Sequence, residues 1–429
     1  MNHSKTLRCL VLLVLAPLAA WAADPAKWAE DHVDQLVPIY QHLHANPELS
    51  LHEVETARLV AKELRAAGAA VTTGIGGHGL VGVLENGDGK RLLIRTDLDA
   101  LPIVEETGLP YASRVRTENP EGDGTVGVMH ACGHDLHMTN LIGVARYLAE
   151  NRDRWRGTIL LVGQPAEERV LGAKAMLDDG LYERFGKPDF ALALHVAAEL
   201  PAGTIAHRAG FSSAASDVVD IVVRGAGGHG ARPHTTKDPI VQAAQLILAL
   251  QTIVSRQIDP VEPAVVTVGA IHGGTKHNII PDTCELKLTV RTYSEAVRDQ
   301  IHEAIAQRAA GIAESMGAPP PEVRATRQVD AVFNEPALVE RLVPVFRREV
   351  GETRVIEVPP SMTSEDFGVF GRGGVPIFMF GLGTATAERF KLRDGSCSLH
   401  TPRYQPEVRP ALVAGIAAMS AAALELLAP

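Results

Sequence analysis

Four separate apolar runs in this 429-residue chain stop at an acid or a histidine, and that recurrence restricts the folds open to it. Residues 91–96 read as a strand running into Asp97-Leu98-Asp99, and residues 158–163 as a second that delivers Gln164-Pro165-Ala166-Glu167-Glu168. Residues 190–194 end in His195, and residues 375–380 lead through a Gly-rich turn toward His400. In open α/β sheets the strands finish along one edge, and ligands bind in the crevice beyond their carboxyl ends. Strands and helices alternate as far as about Ala209, which predicts an α/β layer fold with a largely parallel sheet. Metal-compatible groups from four strands are therefore expected along one rim.

The segment Met129-His130-Ala131-Cys132-Gly133-His134-Asp135-Leu136-His137 adds three imidazoles, a thiol and a carboxylate within nine positions. Thiolate and imidazole donors suit zinc, cobalt, nickel or manganese. Alone, a Cys-x-His pair reads more simply as a buried thiol beside solvated histidines, and Glu168, His195 and His400 taken singly read as surface or core residues. Taken jointly they favour a metal centre. Asp135 is expected to cap a helix carrying Leu136, Ile142, Ala145 and Leu148 on its apolar positions, so that the Cys132/His134 loop sits at a helix start.

From about Ser212 the pattern changes. Residues 217–224 read as a strand, Asp238-Pro239 starts a helix with Ile240, Ala243, Ile247, Leu250 and Val254 on one face, and residues 264–271 form another strand. In residues 284–291 alternation puts Cys284, Leu286, Leu288 and Val290 on one side and Glu285, Lys287, Thr289 and Arg291 on the other. Ser294 opens a helix with Val297, Ile301, Ile305, Ala309 and Ile312 inward, which stops at Gly317, and residues 322–328 complete a split βαβ, ferredoxin-like unit. The expected organisation is a catalytic domain in two parts, 23–211 and 328–429, with a lid domain, 212–327, inserted between them.

Residues 1–22 carry Lys5 and Arg8 ahead of an apolar run that ends in Ala20-Trp21-Ala22-Ala23, the pattern of a secretory signal rather than a membrane span. Export to the periplasm or beyond is the expectation. Removal of that segment would take the formal net charge from −10 to −12, and an acidic surface argues against nucleic acid as a partner. It would also leave Cys132, Cys284 and Cys397, an odd set that cannot all pair within one chain. Cys284 is expected in a core and Cys132 on a metal. At 46% hydrophobic residues the chain needs no disulfide to build its core.

The motifs Arg95-Thr-Asp-Leu-Asp-Ala-Leu-Pro102, Met129-His-Ala-Cys-Gly-His-Asp135, Gln164-Pro-Ala-Glu-Glu168 and Gly227-Gly-His-Gly-Ala-Arg-Pro-His234 together resemble the M20 metallopeptidases. The closer likeness is to the amidohydrolase branch with hippurate, N-acyl-amino-acid and auxin-conjugate hydrolases, from His42-Leu-His-Ala-Asn-Pro-Glu-Leu49 to Leu399-His-Thr-Pro402. The resemblance implies a metallopeptidase catalytic domain holding two divalent metal ions, an inserted lid that commonly serves for dimerisation, and a small N-acyl amino acid or dipeptide-like substrate. It makes Cys132, His134, Glu168, His195 and His400 the metal ligands and Glu167 the general base, with Asp97 and Asp99 supporting the site. His229, Asn278 and Arg291 become lid residues that meet substrate, His229 from a partner subunit. Two features depart from the family pattern: Arg169 stands where the family usually has Gly, and the segment 114–128, with Glu118, Glu121 and Asp123, is longer than usual.

Chemically, adjacent glutamates on a loop point in different directions, so one can hold a metal while the other takes a proton from water. His229 stands among Gly227, Gly228 and Gly230, which allow close backbone approach to an oxyanion. Arg291 offers a bidentate grip on a substrate carboxylate, or is simply a solvated strand charge. Two rivals remain open from the residues: thiol hydrolysis by Cys132 with His134 as base, and a secreted metal- or small-ligand-binding protein without turnover.

Overall fold

The computed structural model describes residues 24–120, 122–392 and 398–429. The signal-like segment 1–22 with Cys9, Glu121 of the acidic segment, and Cys397 lie outside the described residues.

One sheet of eight strands organises the larger part of the chain. Its order is Ala70–Ile75, Gly79–Asn86, Gly157–Gln164, Arg91–Asp97, Phe190–Pro201, Ile377–Ala385, Ile205–His207 and Val355–Glu357. The four middle strands, from Gly157–Gln164 to Ile377–Ala385, are mutually parallel, and the first two are antiparallel. The middle strands are buried on both faces, which explains why they read as unbroken apolar runs rather than alternating ones. Leu92, Ile94, Ile159 and Leu161 face one core, closed by the helices Pro25–Ala45, Val54–Ala66, His134–Glu150, Pro336–Val350 and Val408–Leu426. Leu93, Leu160 and Val162 face a second core with Ala173, Met176, Phe367 and Phe370. The helix Val408–Leu426 is long and apolar enough to cross a membrane, but 67% of it is buried inside this fold.

The second sheet runs Ala264–Gly273, Thr283–Thr292, Ala215–Arg224, Glu322–Val329, antiparallel throughout, with the helices Pro239–Arg256 and Glu295–Ser315 packed on it. In sequence order the strands stand 2-3-1-4, the ferredoxin-like arrangement. Cys284, Leu286, Leu288 and Val290 enter its core while Glu285 and Lys287 are exposed, as alternation requires. Asp238 caps its helix through the amide of Ile240 at 2.9 Å, and Ser294 caps the other through Val297.

Three local expectations are corrected. The helix after the Cys132/His134 loop is entered from Gly133, in the left-handed region at φ 77°, and Asp135 lies inside its first turn. The Asp135 carboxylate is drawn to His44 instead of to a capping position. The strand through His195 does not end there but continues to Pro201, because it stays paired with Ile377–Ala385 after its pairing with Arg91–Asp97 has stopped at Arg95. The strand before His400 likewise runs to Ala385, so Gly381 and Gly383 lie within it, and a helix Ala387–Leu392 follows.

Candidate metal centre

The loop that carries Cys132 and His134 is shaped by Gly133. A Cβ there would lie 2.7 Å from Val196 Cγ2 and 3.0 Å from the Tyr404 hydroxyl, and its positive φ is one that L residues avoid. The turn places the Cys132 thiol beside the sheet rim, where Sγ is 3.4 Å from His195 Nε2 and 3.3 Å from His400 Nε2. His400 Nε2 is 3.6 Å from Glu168 Oε2, and His134 Nε2 is 3.9 Å from Glu168 Oε1. The five residues read from sequence as a ligand set therefore converge. Cys132, His134 and His195 form one triad of mutually close donor atoms and Cys132, Glu168 and His400 another, so that the two share the thiol.

The free lone pairs point inward. His134 Nδ1–H donates to the Asp99 carbonyl and His195 Nδ1–H to the Val196 carbonyl, each at 2.8 Å, which turns both Nε2 atoms toward the cluster, where each offers a lone pair when its ring is neutral. Among the described residues His134 Nε2 and Glu168 Oε1 are buried without a hydrogen-bond partner. Buried polar atoms are rarely left so. Divalent cations fit this donor set of thiol, imidazole and carboxylate, and would engage the orphaned atoms.

Charge leads the same way. Burial, then Glu168, Glu167 and Asp97, pushes the Cys132 thiol up. Burial, then Glu365, Glu168 and Asp366, pushes the Glu167 carboxyl well up, and burial chiefly raises Glu168 to about 7. Burial opposes a charge on His134, yet Asp97 and Asp99 raise it to about 10, whereas burial and His137 take His195 down to about 3. Acids crowd a dry site, and a cation among them would favour their ionised forms.

Asp97 and Asp99 brace the centre. Asp97 accepts from His137 Nδ1 at 2.7 Å with one oxygen and from Arg95 Nη1 at 2.7 Å with the other. His137 Nε2 in turn accepts the Val196 amide at 2.9 Å. Asp97, His134 and His137 are close enough to form a further triad, but the bonds to Asp97 and Val196 already occupy both ring nitrogens of His137. Asp99 Oδ2 accepts Ser50 Oγ at 2.6 Å and the Glu168 amide at 3.0 Å.

Glu167 stands outside both Cys132 triads. Its carboxylate is buried, 3.8 Å from His134 Nε2 and close to Glu365 and Asp366. The turn that presents it is strained, with Ala166 at φ 48° and Val170 at φ 50°, and His400 has φ 61°. Such residues cost about 1–3 kcal/mol each and gather at functional sites. His400 is held at this conformation by its amide bond to the Ala131 carbonyl, 2.9 Å, while its ring is 54% exposed at the mouth.

The lid residues are placed less uniformly. Arg291 donates to Ser364 Oγ at 2.5 Å and so reaches the segment beside Glu365. His229 and Asn278 are exposed and lie together on the ribbon of Gly228–His229 with Ile279–Ile280. His229 Nδ1 accepts the Ala231 amide at 3.0 Å, and among the described residues neither side chain bonds to the metal-compatible cluster of its own chain. Arg169 is exposed next to Glu168, and the segment 114–128 forms a short hairpin of Arg116–Glu118 with Thr125–Gly127.

Sequence reasoning counted His137 among the imidazoles of its segment but gave it no role, and passed over Glu53, Glu365 and Asp366. His137 sits three residues after His134 on the same helix, a spacing that marks a shared face. Glu365-Asp366 repeats the paired-acid signature of Glu167-Glu168 but follows no strand, so an argument from strand ends does not reach it. Arg95 binds both to the sheet by donating to Gln164 Oε1 and Glu365 Oε1, each at 2.8 Å, and to Asp366 Oδ1 at 3.3 Å.

An α/β sheet whose rim gathers transition-metal donors, with the Glu167 carboxylate among them and a second, antiparallel unit in the same chain, defines a protein built for metal-assisted chemistry. Residues 93–425 match the family described as Peptidase family M20/M25/M40, and the chain belongs to that family. It is 41% identical over 339 residues to hippurate hydrolase of Campylobacter jejuni, covering 77% of this chain and 84% of the relative. It is 33% identical over 376 residues to IAA-amino acid hydrolase ILR1-like 2 of Arabidopsis thaliana, covering 87% and 81%. Among solved structures, the Bacillus subtilis YXEP protein, described as a dinuclear metal binding peptidase from the M20 family, superposes with a TM-score of 0.76 at 29% identity, covering 93% of this chain and 99% of the other.

Proposed function

We propose that this protein is a metal-dependent amidohydrolase that cleaves the amide of N-acyl or N-aminoacyl amino acids. The observation that carries the reading is the pair of donor triads sharing the Cys132 thiol, with Glu167 beside both and part of neither. Cys132, His134, Glu168, His195 and His400 would hold two divalent ions. Those ions would supply a water of lowered pKa and a polarised scissile carbonyl. Glu167 takes the proton of the attacking water and passes it to the leaving amine. Burial and the neighbouring Glu365, Glu168 and Asp366 carboxylates raise its proton affinity above that of a free glutamate. Arg291 is the proposed partner of the substrate carboxylate, and His229 with Asn278 completes the site from the lid of a second copy in a homodimer. The names of the relatives, hippurate hydrolase and IAA-amino acid hydrolase, support small acylated amino acids as the substrate class. Export by the N-terminal segment belongs to the same proposal.

The thiol reading is less well supported. Cys132 is buried among carboxylates that oppose a thiolate, whereas reactive cysteines sit in electropositive, partly exposed surroundings. Elemental analysis of gently purified protein, paired with release assays on a panel of N-acyl and N-aminoacyl amino acids, tests the proposal. Two equivalents of metal and hydrolysis that a chelator abolishes are expected. Fully metallated protein that hydrolyses no member of the panel defeats it.

A further inference from the structure

The N-terminal segment that shares the family likeness, ending in Glu48-Leu49 and followed by Ser50-Leu51-His52-Glu53, takes no part in the chemistry above, yet the fold threads it behind the metal centre. Leu49 forms a parallel bridge with Ala100, one residue past Asp99. Glu48 accepts the amides of Glu55 and Thr56 at 3.1 and 2.7 Å, fixing the start of the helix Val54–Ala66. Glu53 stands just before that helix and is fully buried. Its Oε1 accepts two backbone amides, Leu51 at 2.9 Å and Ala166 at 2.7 Å, 113 residues away. Its Oε2 is buried with no hydrogen-bond partner among the described residues.

Ala166 is the residue at φ 48° immediately ahead of Glu167. The carbonyl of Ala166 accepts the amides of Leu171 and Gly172, and that of Glu167 accepts the Val170 amide, so the turn closes on itself through its oxygens. Its amides on either side of Glu167 are held from outside, Ala166 by Glu53 and Glu168 by Asp99. With both flanking amides anchored to buried carboxylates, the Glu167 side chain is left to face His134, Glu365 and Asp366. Keeping an acid in the interior with one oxygen unsatisfied is costly, and what Glu53 supplies in return is an acceptor for the Leu51 and Ala166 amides, which an apolar residue would leave unpaired.

We propose that Glu53 is a positioning residue, which fixes the strained Ala166 turn and thereby aims the Glu167 carboxylate at the attacking water. The inference rests on Glu167 as the general base. Glu53 touches no reacting atom and acts only through the Ala166 amide. What it needs is an acceptor oxygen, not a charge.

That distinction sets the test, made on the full-length, metal-loaded protein. Glu53→Gln keeps the acceptor and Glu53→Ala removes it. With an N-acyl amino acid from the panel, E53A is expected to lower kcat about 100-fold, the scale of an ångström misplacement of a reacting group, with KM nearly unchanged and the metal content of the wild type. E53Q is expected to restore most of kcat. Amide hydrogen exchange over residues 163–171 gives a readout independent of turnover: faster in E53A, close to wild type in E53Q. Equal loss in both variants, loss of metal as the cause of inactivity, or unchanged exchange in E53A overturns the proposal. Should the loaded wild type hydrolyse nothing, the hydrolytic reading fails by itself, and the exchange difference still decides whether Glu53 holds the turn.

Discussion

Glu167 and Glu168 share one backbone turn and differ in what faces them. Both lie within 3.9 Å of His134 Nε2; beyond that shared neighbour Glu168 faces His400, and Glu167 the Glu365 and Asp366 carboxylates. Replacing Glu167 with Gln keeps shape and removes the proton acceptor, so kcat should fall by about 10²–10⁴-fold while metal content stays at the wild-type value. Inactivity accompanied by metal loss would instead make Glu167 a ligand. Replacing Cys132 with Ser removes the donor common to both triads, and metal affinity measured by competition with a chromogenic chelator should drop by more than about 100-fold. A variant that binds metal normally refutes the shared thiol. His44 offers a pH-dependent prediction. Burial opposes its charge, but its bonds to Asp135 at 2.7 Å and Glu105 at 3.1 Å raise it from 6.5 to about 9. Because the folded value lies above the unfolded one, its contribution is complete below pH 6.5 and is lost as pH climbs through 9. Thermal midpoints should fall over that window in the wild type and fall less in His44→Gln; parallel profiles would exclude the effect.

Elements matter here through the close approaches they permit. Gly172 begins the short helix Gly172–Asp178, and a Cβ on it would sit 1.6 Å from the Pro165 carbonyl oxygen. Gly172→Ala must push the helix away from the turn that presents Glu167. A loss of about 1–3 kcal/mol in chemical denaturation, together with a kcat defect larger than the stability loss explains, is expected. Wild-type kinetics would show that the turn tolerates the shift. Helix and strand type were legible from periodicity where one face is buried, as in Thr283–Thr292 and Pro239–Arg256. Strand ends were not legible. Phe190–Pro201 and Ile377–Ala385 both outrun their apolar cores because pairing between them continues, and pairing is a property of two segments that neither sequence states alone.

At the scale of the whole molecule, the donor groups of Glu168, His195 and His400, on three strand-linked segments, and of Cys132 and His134, at one loop, meet only when the fold is complete. Metal bound there stabilises the native chain over the unfolded one. Dialysis against a strong chelator should therefore abolish hydrolysis and lower the thermal midpoint together, both recovering when zinc, manganese, cobalt or nickel is restored. A midpoint indifferent to chelation would place the metal elsewhere. His229 and Asn278 stand on an exposed ribbon away from the cluster of their own chain. If they act across a homodimer, mixing inactive E167Q with inactive His229→Ala should restore activity through hybrid dimers; mixtures as inactive as their components would confine each site to one chain.

The donor types of the site were legible in the chain itself, from residue chemistry and from the motifs that carry the family likeness: Cys132, His134, Glu168, His195 and His400 could be named as candidates in advance, and the fold brings their donor atoms together. Which nitrogen of each histidine faces the cluster, that His137 is spent on Asp97 and Val196, and that Glu53 reaches Ala166 across 113 residues are decided by packing. Hydrogen-bond partners far apart in sequence leave no periodic trace, since each bond needs only one donor and one acceptor brought within about 3 Å. Composition set what this protein could bind, and the folded sheet set which atoms are left to bind it.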